Sequence, residues 1–259
     1  MVDGRSGGVK DGCLAWDGCR NVRDVGGLMT ASGRPIRRGT VVRGDTVGTL
    51  TPSGVAALTE HGVRTIIDLR GPADMEATYP SVPPLTCYRY PLMDAEDFQF
   101  VDALPATETL GALYCRLADR HGTVLAAIVR LIATAPHGGV LIHCRIGKDR
   151  TGVAIATVLD LLGVDRASIV RDYAASAEGL RDQIEDELRA LAHDPVMHAR
   201  ERRHSFSYQG NMERFLTHID DRYGGMAAYL TRHGMTEGDR TALMARLTAA
   251  DAVQAVPSA

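Results

Sequence analysis

The sequence predicts an α/β protein, with a parallel central sheet flanked by helices. Short apolar runs bounded by Gly or Pro alternate with helix-length segments between residues 37 and 163. A β-α-β-α order of this kind is typical of a parallel sheet covered by helices. The 259 residues, 45% of them hydrophobic, suit one domain, which we expect over residues 13–250. Residues 1–12 and 251–259 are expected to be flexible termini.

The elements follow in order from local signals. Thr51 and Pro52 mark a helix start, as N-cap and first helical residue, and Gly62 ends that helix. Residues 153–162 are apolar nearly all round, which predicts a buried helix ending at Gly163. The chain beyond Gly163 is more polar and helical. The predicted strands are residues 37–42, 63–69, 86–92 and 138–142, and the other predicted helices are residues 107–120, 123–133, 165–176, 180–193, 211–222 and 236–249.

The most informative segment joins the strand at 138–142 to the following helix. Residues 143–152 read His-Cys-Arg-Ile-Gly-Lys-Asp-Arg-Thr-Gly, and we call residues 144–150 the Cys-Arg loop. A loop of this length can wrap a tetrahedral oxyanion, with backbone N–H groups pointing inward and the helix N-terminus favouring negative charge. The sulfur of Cys144 would lie beneath the central atom and Arg150 would hold two oxygens. The pattern therefore predicts hydrolysis of phosphate esters through a cysteinyl-phosphate intermediate.

Other interpretations of this segment fit less well. A lone cysteine in an apolar stretch is usually a packing residue, and the Cys-x5-Arg spacing alone arises by chance. Here the spacing lies between a predicted strand and a predicted helix. A nucleotide-binding loop would need Gly at position 142 and Ser or Thr at 149, where the chain has Ile142 and Asp149.

Five segments together resemble the bacterial tyrosine-phosphatase-like family, which includes secreted members. The loop motif is similar to that family's signature, and the resemblance extends over roughly residues 20–250 in the same order. It implies a cysteine-phosphatase-like fold in which part of residues 165–230 forms a helical cap or lid. Helices packed at one end of the sheet are an equally good interpretation of that region from the sequence alone. The other matching segments are Asn-Val-Arg-Asp-Val-Gly-Gly at 21–27, Arg-Gly-Thr-Val-Val-Arg-Gly-Asp at 38–45, Asp-Leu-Arg at 68–70 and residues 229–247.

Roles in the loop follow from chemistry. Cys144 is the candidate nucleophile, and Arg150 is the candidate clamp because its planar fork matches two phosphate oxygens. The Thr151 hydroxyl can hydrogen-bond to the sulfur and help it leave. Arg70 follows the predicted strand at 63–69, so it should share the sheet edge with Cys144. The candidate phosphate-binding residues are Arg145, Ile146, Gly147, Lys148, Arg70 and Arg23.

The general acid has more than one candidate. The resemblance points to Asp149, inside the Cys-Arg loop. Lys148 and Arg150 flank it and favour its ionised form, which is unsuitable for an acid, whereas a bound phosphate dianion would favour the protonated form. Asp94 and Asp97, which follow the predicted strand at 86–92, are the alternative, since they could lie on a mobile loop.

The substrate range is expected to be broad. Phosphotyrosine, phosphoserine, phosphothreonine and phosphoinositides are all candidates. Arg145 and Lys148 occupy positions that are basic in lipid phosphatases of similar pattern, where they can meet the extra phosphates of an inositol ring. The alternative is that Arg145 faces solvent and Lys148 pairs with a carboxylate.

Composition excludes several other classes. The net charge of −3 argues against a dedicated nucleic-acid binder. The sequence contains no run of eighteen apolar residues, which is about the length needed to span a membrane. An odd number of cysteines, five, and the absence of an apolar signal core predict a cytoplasmic protein with reduced thiols; the resemblance leaves non-classical secretion open. No cofactor and no metal are expected, and the oligomeric state is not predicted. A non-catalytic phosphate-binding module, a sulfurtransferase and an arsenate reductase remain the competing functions.

Overall fold

A computed structural model of the chain describes residues 12–74, 85–105 and 107–248. Within these ranges, five strands form one sheet in the order β1-β2-β5-β3-β4. The four strands from β2 to β4 in that order are parallel, and β1 pairs antiparallel with β2 at the edge. The predicted α/β class with a parallel sheet is confirmed. The strands are β1 Arg23–Asp24, β2 Val41–Gly44, β3 Val63–Asp68, β4 Thr86–Arg89 and β5 Gly139–His143.

Helices cover both faces of the sheet because its central strands are apolar on both sides. In β5, Leu141 points to a cluster that includes Trp16 and Leu58 of α1, whereas Val140 and Ile142 point to the larger core formed with α3, α4 and α9. The α-helices are α1 Pro52–Glu60, α2 Ala95–Asp102, α3 Gly111–Thr134, α4 Asp149–Leu161, α5 Arg166–Ala174, α6 Ser176–Gly179, α7 Arg181–Ala190, α8 Pro195–Ser205, α9 Gln209–Tyr223, α10 Met226–Arg232 and α11 Glu237–Leu247.

Local capping explains several boundaries. The Thr51 side chain accepts a hydrogen bond from Gly54 N and Pro52 opens α1, as the sequence predicted. The helices predicted at 107–120 and 123–133 form one helix, α3, with a non-helical residue at His121. None of the segments predicted above covers β1, α2, α6, α8 or α10.

The region 165–230 does not behave as one unit. Helices α5 and α9 contribute Ile169, Tyr173 and Phe215 to the main core, whereas α7 buries only Ile184 and α8 only Ser205. Only the α7–α8 pair is therefore a candidate cap.

The termini predicted to be flexible lie outside the described residues, except Gly12, whose carbonyl accepts a hydrogen bond from Asp24 N. Residues 13–248 of the predicted domain are described except for residues 75–84 and 106. None of the described helices combines the length and apolar character needed to cross a membrane.

Candidate active site

The Cys-Arg loop turns sharply between the end of β5 and the start of α4. Gly147 has a φ of 70°, and a Cβ atom there would lie 2.4 Å from the carbonyl oxygen of Gly44. Only glycine fits this position, because it tolerates positive φ and leaves room for β2. The loop is thus packed directly against the neighbouring strand end.

The carbonyl oxygens of the loop are held from outside. Thr46 N donates to Arg145 O at 3.0 Å, Asn21 Nδ2 donates to Ile146 O at 2.9 Å, and Arg43 Nη2 donates to Gly147 O at 2.9 Å. Among the described residues, the backbone N–H groups from Arg145 to Lys148 have no protein acceptor. The loop therefore keeps its donors for a ligand, at the positive end of α4.

Behind the loop lies a buried ionic network, the rear network, formed by Asn21, Arg23, Arg43, Asp172 and Ser176. Arg23 donates to Asn21 Oδ1 at 2.6 Å, to Asp172 Oδ1 at 3.2 Å and to Ser176 Oγ at 3.0 Å, and Arg43 pairs with Asp172 Oδ2. Burial raises the pKa of Asp172, but the charges of Arg43 and Arg23 outweigh it and hold that pKa below its usual value. Burial, followed by the charge of Arg43, lowers the pKa of Arg23 to about 10.

The network places Arg23 behind the loop, contrary to the prediction that it contacts phosphate. Arg70 also differs from its prediction. Its Nε lies 3.0 Å from Asp68 Oδ1 and its Nη1 donates to Thr46 Oγ1 at 3.0 Å. Because Thr46 N holds Arg145 O, Arg70 supports the loop through its neighbours, and neither arginine lines the cavity described next.

A cavity of about 590 Å³ opens above the loop. Cys144 lies at its base and is only 2% exposed. Helices α7 and α8 form part of its wall, which is where the resemblance placed a cap. The polar lining includes Asp74, Arg145, Lys148, Asp149, Arg150, Glu187 and Glu201, and the apolar lining includes Met93, Phe98, Val101, Leu110, Leu113, Leu180, Ile184 and Leu191.

Arg150 is fixed by a carboxylate that the sequence did not indicate. Its Nη1 and Nη2 donate to the two oxygens of Asp74, at 2.5 and 2.9 Å, and its guanidinium lies 5.9 Å from the Phe98 ring centroid. Burial raises the pKa of Asp74, but the hydrogen bonds and charge of Arg150 outweigh it and lower that pKa. Asp74 thus holds the plane of the guanidinium inside the cavity.

Two buried polar residues, His143 and Thr151, flank the Cys-Arg loop in the chain. The Thr151 Oγ1 atom is buried and has no hydrogen-bond partner among the described residues. A buried hydroxyl without a partner is costly, so this hydroxyl has its hydrogen-bonding capacity free. His143 Nδ1 lies 3.0 Å from Cys144 O, so the histidine orients the loop backbone. Burial lowers the pKa of His143.

Asp149 and Lys148 contact each other, and each has a further partner. Asp149 Oδ1 accepts a short hydrogen bond from the Tyr114 hydroxyl and lies 3.6 Å from Lys148 Nζ. Lys148 Nζ also donates to the carbonyl oxygens of His204 and, at 3.0 Å, Ser205, at the C-terminal end of α8. Lys148 therefore joins the loop to the α7–α8 pair, rather than pointing freely at a ligand.

Asp94 and Asp97 are not on a loop, contrary to the alternative prediction. Asp94 is the N-cap of α2 and forms a capping box with Asp97. Asp97 is fully buried and accepts hydrogen bonds from Arg116 at 2.8 Å and from His121 at 2.6 Å. Asp94, Asp97 and His121 place three potential ligand atoms within 4.8 Å of one another, but the neighbouring arginines disfavour a metal ion. Neither carboxylate lines the cavity.

The comparison with protein families is consistent with this geometry. A model of the tyrosine phosphatase family matches residues 14–249. The chain belongs to the tyrosine phosphatase family.

Curated relatives agree with this assignment. The chain is 32% identical over 216 residues to a tyrosine-protein phosphatase of Nostoc commune, with 80% of this chain and 73% of the relative covered. It is 27% identical over 264 residues to the triple specificity protein phosphatase PtpB of Mycobacterium tuberculosis, with 85% and 93% covered. It is 30% identical over 173 residues to a putative tyrosine-protein phosphatase of Cupriavidus necator, with 63% and 62% covered. This member of the family is therefore a phosphatase.

Several residues of the site were missed by the sequence prediction. Asn21 and Arg43 fall in two segments, 21–27 and 38–45, that resemble the family, and that resemblance was the available signal for them. Asp74 and Tyr114 had no such signal. They lie 76 and 35 residues from the loop side chains they contact.

Proposed function

We propose that this tyrosine phosphatase family member hydrolyses phosphate monoesters through a cysteinyl-phosphate intermediate on Cys144. The observation that carries the proposal is the position of the sulfur. Cys144 lies at the base of a cavity, at the N-terminus of α4, beside Arg150 and a loop whose backbone donors have no protein acceptor among the described residues. Such a site stabilises a thiolate and a phosphate oxyanion together.

In the first step, the Cys144 thiolate attacks phosphorus, an S–P bond forms, and the bond from phosphorus to the ester oxygen breaks. Asp149 donates the proton that the leaving oxygen needs. In the second step, water attacks phosphorus, Asp149 accepts a proton from that water, and the S–P bond breaks to release inorganic phosphate. The Thr151 hydroxyl stabilises the departing sulfur.

The ion pair with Asp74 leaves Arg150 able to bind phosphate. A guanidinium has five N–H donors, and two of them point at Asp74, which leaves three for phosphate oxygens. A fixed guanidinium plane loses less conformational freedom when the phosphate binds.

The apolar part of the cavity lining favours an aromatic phosphate ester. The apolar side chains of Phe98, Leu113 and Ile184 line the approach to Cys144, so they can contact an aromatic ring. Two of the relatives are named as tyrosine-protein phosphatases, and the third is named triple specificity. We therefore propose phosphotyrosine proteins as the first substrate class and phosphoserine and phosphothreonine proteins as the second.

Phosphoinositides are part of the same proposal because of one residue. Arg145 is exposed at the cavity, where it can meet a further phosphate of an inositol ring. Lys148 can do so only if it leaves the carbonyl groups at the end of α8. Arg145→Ala should then lower kcat/KM for short-chain phosphoinositides roughly tenfold more than for a phosphotyrosine peptide. Equal losses on both substrates would remove phosphoinositides from the range.

The mechanism is tested with Cys144→Ser on p-nitrophenyl phosphate. We expect a loss of at least about a thousandfold in kcat, because a serine hydroxyl is a poor nucleophile at neutral pH, while phosphate binding persists. Acid quenching of the wild type during turnover should leave one phosphate on the peptide that contains Cys144. Cys115→Ser is the matched control, since Cys115 is half-buried and lies outside the cavity. Full activity of Cys144→Ser, or loss of wild-type activity in EDTA, would contradict the proposed mechanism.

A further inference from the structure

Asp149 is held by a chain of buried hydroxyl groups that the mechanism above does not use. The Tyr114 hydroxyl, on α3, contacts Asp149 Oδ1, and it lies 2.8 Å from the Tyr173 hydroxyl, on α5. Asn211 Nδ2 lies 3.4 Å from the Tyr173 hydroxyl. Tyr114, Tyr173 and Asn211 are each at most 1% exposed. Residues from three helices thus form one hydrogen-bonded chain that ends at Oδ1 of the candidate acid.

The direction of these bonds follows from counting protons. A tyrosine hydroxyl has one proton to donate, and an ionised carboxylate can only accept. Tyr114 therefore donates to Asp149 and accepts from Tyr173, and Tyr173 accepts from Asn211. The Asn211 end of the chain gives the same direction. Asn211 Oδ1 accepts a hydrogen bond from Gly111 N at 3.1 Å, so the amide nitrogen of Asn211 is the donor toward Tyr173.

The two oxygens of Asp149 are consequently different. Oδ1 receives the Tyr114 hydroxyl and lies nearest Lys148 Nζ. Among the described residues, no hydrogen bond reaches Oδ2. The Asp149 side chain is 20% exposed, and the residue lines the cavity. A proton on Asp149 therefore belongs on Oδ2, since Oδ1 is already an acceptor.

We propose that Tyr114, supported by Tyr173, is a positioning residue that directs the transferable proton of Asp149 to Oδ2, facing the leaving group. The proposal rests on the proposed role of Asp149 as the acid. In the first step, the O–H bond at Oδ2 breaks, the proton passes to the ester oxygen, and the carboxylate left behind keeps its hydrogen bond from Tyr114. Burial, followed by the charge of Asp149, raises the pKa of Tyr114 well above its usual value, so the hydroxyl stays a donor throughout the working pH range.

The test compares leaving groups. Phenyl phosphate needs protonation of its leaving oxygen far more than p-nitrophenyl phosphate does, and kcat/KM reports the first chemical step. Asp149→Asn should lower kcat/KM for phenyl phosphate by about a hundredfold or more and for p-nitrophenyl phosphate much less. Tyr114→Phe should show the same selectivity at about tenfold for phenyl phosphate, and Tyr173→Phe a smaller loss in the same direction.

A pH profile supplies a second readout. Removing a hydrogen bond to an ionised carboxylate makes the carboxylate easier to protonate. The basic limb of kcat/KM should therefore move to higher pH in Tyr114→Phe. A purely structural role for Tyr114 would move neither this limb nor the dependence on the leaving group.

Tyr229→Phe is the matched control. Tyr229 is fully buried, and its hydroxyl donates to Ala118 O on α3 at 2.8 Å, so the variant loses a comparable hydrogen bond away from Asp149. Its leaving-group dependence should equal that of the wild type. If Tyr114→Phe does not fold, Tyr173→Phe decides the question, because it keeps Tyr114 and removes only the donor behind it.

Three results overturn the proposal: equal losses on both substrates in Tyr114→Phe, an unshifted basic limb, or an Asp149→Asn variant that turns over phenyl phosphate like the wild type. Wild-type turnover and its dependence on Cys144 are measured with the same substrates. Failure of the positioning role is therefore distinguishable from failure of the proposed function.

Discussion

The two sides of the cavity are held in opposite ways. The Cys-Arg loop rests on the rear network, in which Arg43 is fully buried and Asp172 is 11% exposed. The α7–α8 pair on the facing side buries one residue from each helix. Its ion pair Arg189–Asp186 is about 70% exposed at both ends. The loop side is therefore built to be rigid, and the cap side is built from weak, solvated contacts.

The rigid loop side suits the chemical step, and the weakly held α7–α8 pair suits the entry of substrate. A site that binds a developing oxyanion gains most when its donors are already in place, which the rear network ensures for the loop carbonyls. A cap must let substrates in, so it belongs to the least stable part of the fold. Lys148 links the Cys-Arg loop to the α7–α8 pair, because its Nζ donates to carbonyl oxygens at the end of α8.

Removing the counter-charge of the rear network should have the largest effect. Asp172→Asn leaves Arg23 and Arg43 buried without their carboxylate, and breaking a buried pair costs about 3 kcal/mol or more of the free energy of unfolding. Urea denaturation measures this loss, and kcat/KM should fall as well because Gly147 O loses its fixed donor. Asp186→Asn, which removes the exposed carboxylate of the cap, is the control and should change stability by less than about 0.5 kcal/mol. Similar losses in both variants would refute the contrast.

The same carboxylate predicts an acid dependence with a definite sign. Its pKa is held below the usual value of 3.8 in the folded state, so its contribution to stability is complete above that value. The contribution is lost as pH falls through the lowered folded pKa. The difference in free energy of unfolding between wild type and Asp172→Asn should be constant from about pH 7 to 5 and shrink below about pH 4. A constant difference down to pH 2 would show that Asp172 titrates normally.

The sequence predicted the loop side of the site but not what lies behind it. Cys144, Arg150 and Thr151 are close in the chain, and their strand–loop–helix setting fixes their relative positions. Asn21 reaches the loop across 125 residues, a contact that no local pattern encodes. Arg23 lies in no predicted strand, and nothing in the local sequence says on which side of the Cys-Arg loop its side chain lies, so its assignment to the phosphate was wrong.

Some of the other errors in the prediction could have been avoided from the local sequence, and some could not. Asp94 and Asp97 are three residues apart, the spacing of a capping box, which could have predicted α2 and excluded a loop. Tyr114 looks like any aromatic residue inside a helix, and only the packing of α3 against α4 shows that its hydroxyl meets Asp149. The candidate cap, the α7–α8 pair, is narrower than the predicted residues 165–230, because α5 and α9 pack into the core.

Removing the Lys148 contact between the Cys-Arg loop and α8 should have an intermediate effect on the local stability of α8. Lys148→Met keeps the apolar stem and removes the charged donor to His204 O and Ser205 O, a contact of about 1.5–3 kcal/mol. Amide hydrogen exchange in residues 195–205 should accelerate, while exchange in residues 149–161 stays unchanged. Arg145→Met is the control, since it removes a charge from the same loop at an exposed position. Unchanged exchange in α8 would mean that the loop does not hold the cap.

The smallest effect is expected at the contact between α8 and the end of α2. Arg200 Nη2 donates to Asp102 Oδ1 at 2.8 Å and to Val101 O at 3.3 Å, which ties the helix to the end of α2. The Asp102 side chain is 76% exposed, so solvent screens this pair and Arg200→Ala should loosen α8 by only about 0.5 kcal/mol. The double variant with Lys148→Met should show additive exchange energies to within about 0.5 kcal/mol, as for independent sites. If Arg200→Ala accelerates exchange in α8 more than Lys148→Met does, the cap is anchored to α2 rather than to the loop that carries Cys144. Access to the site would then be set by α2, and Lys148 would be left as a local partner of Asp149.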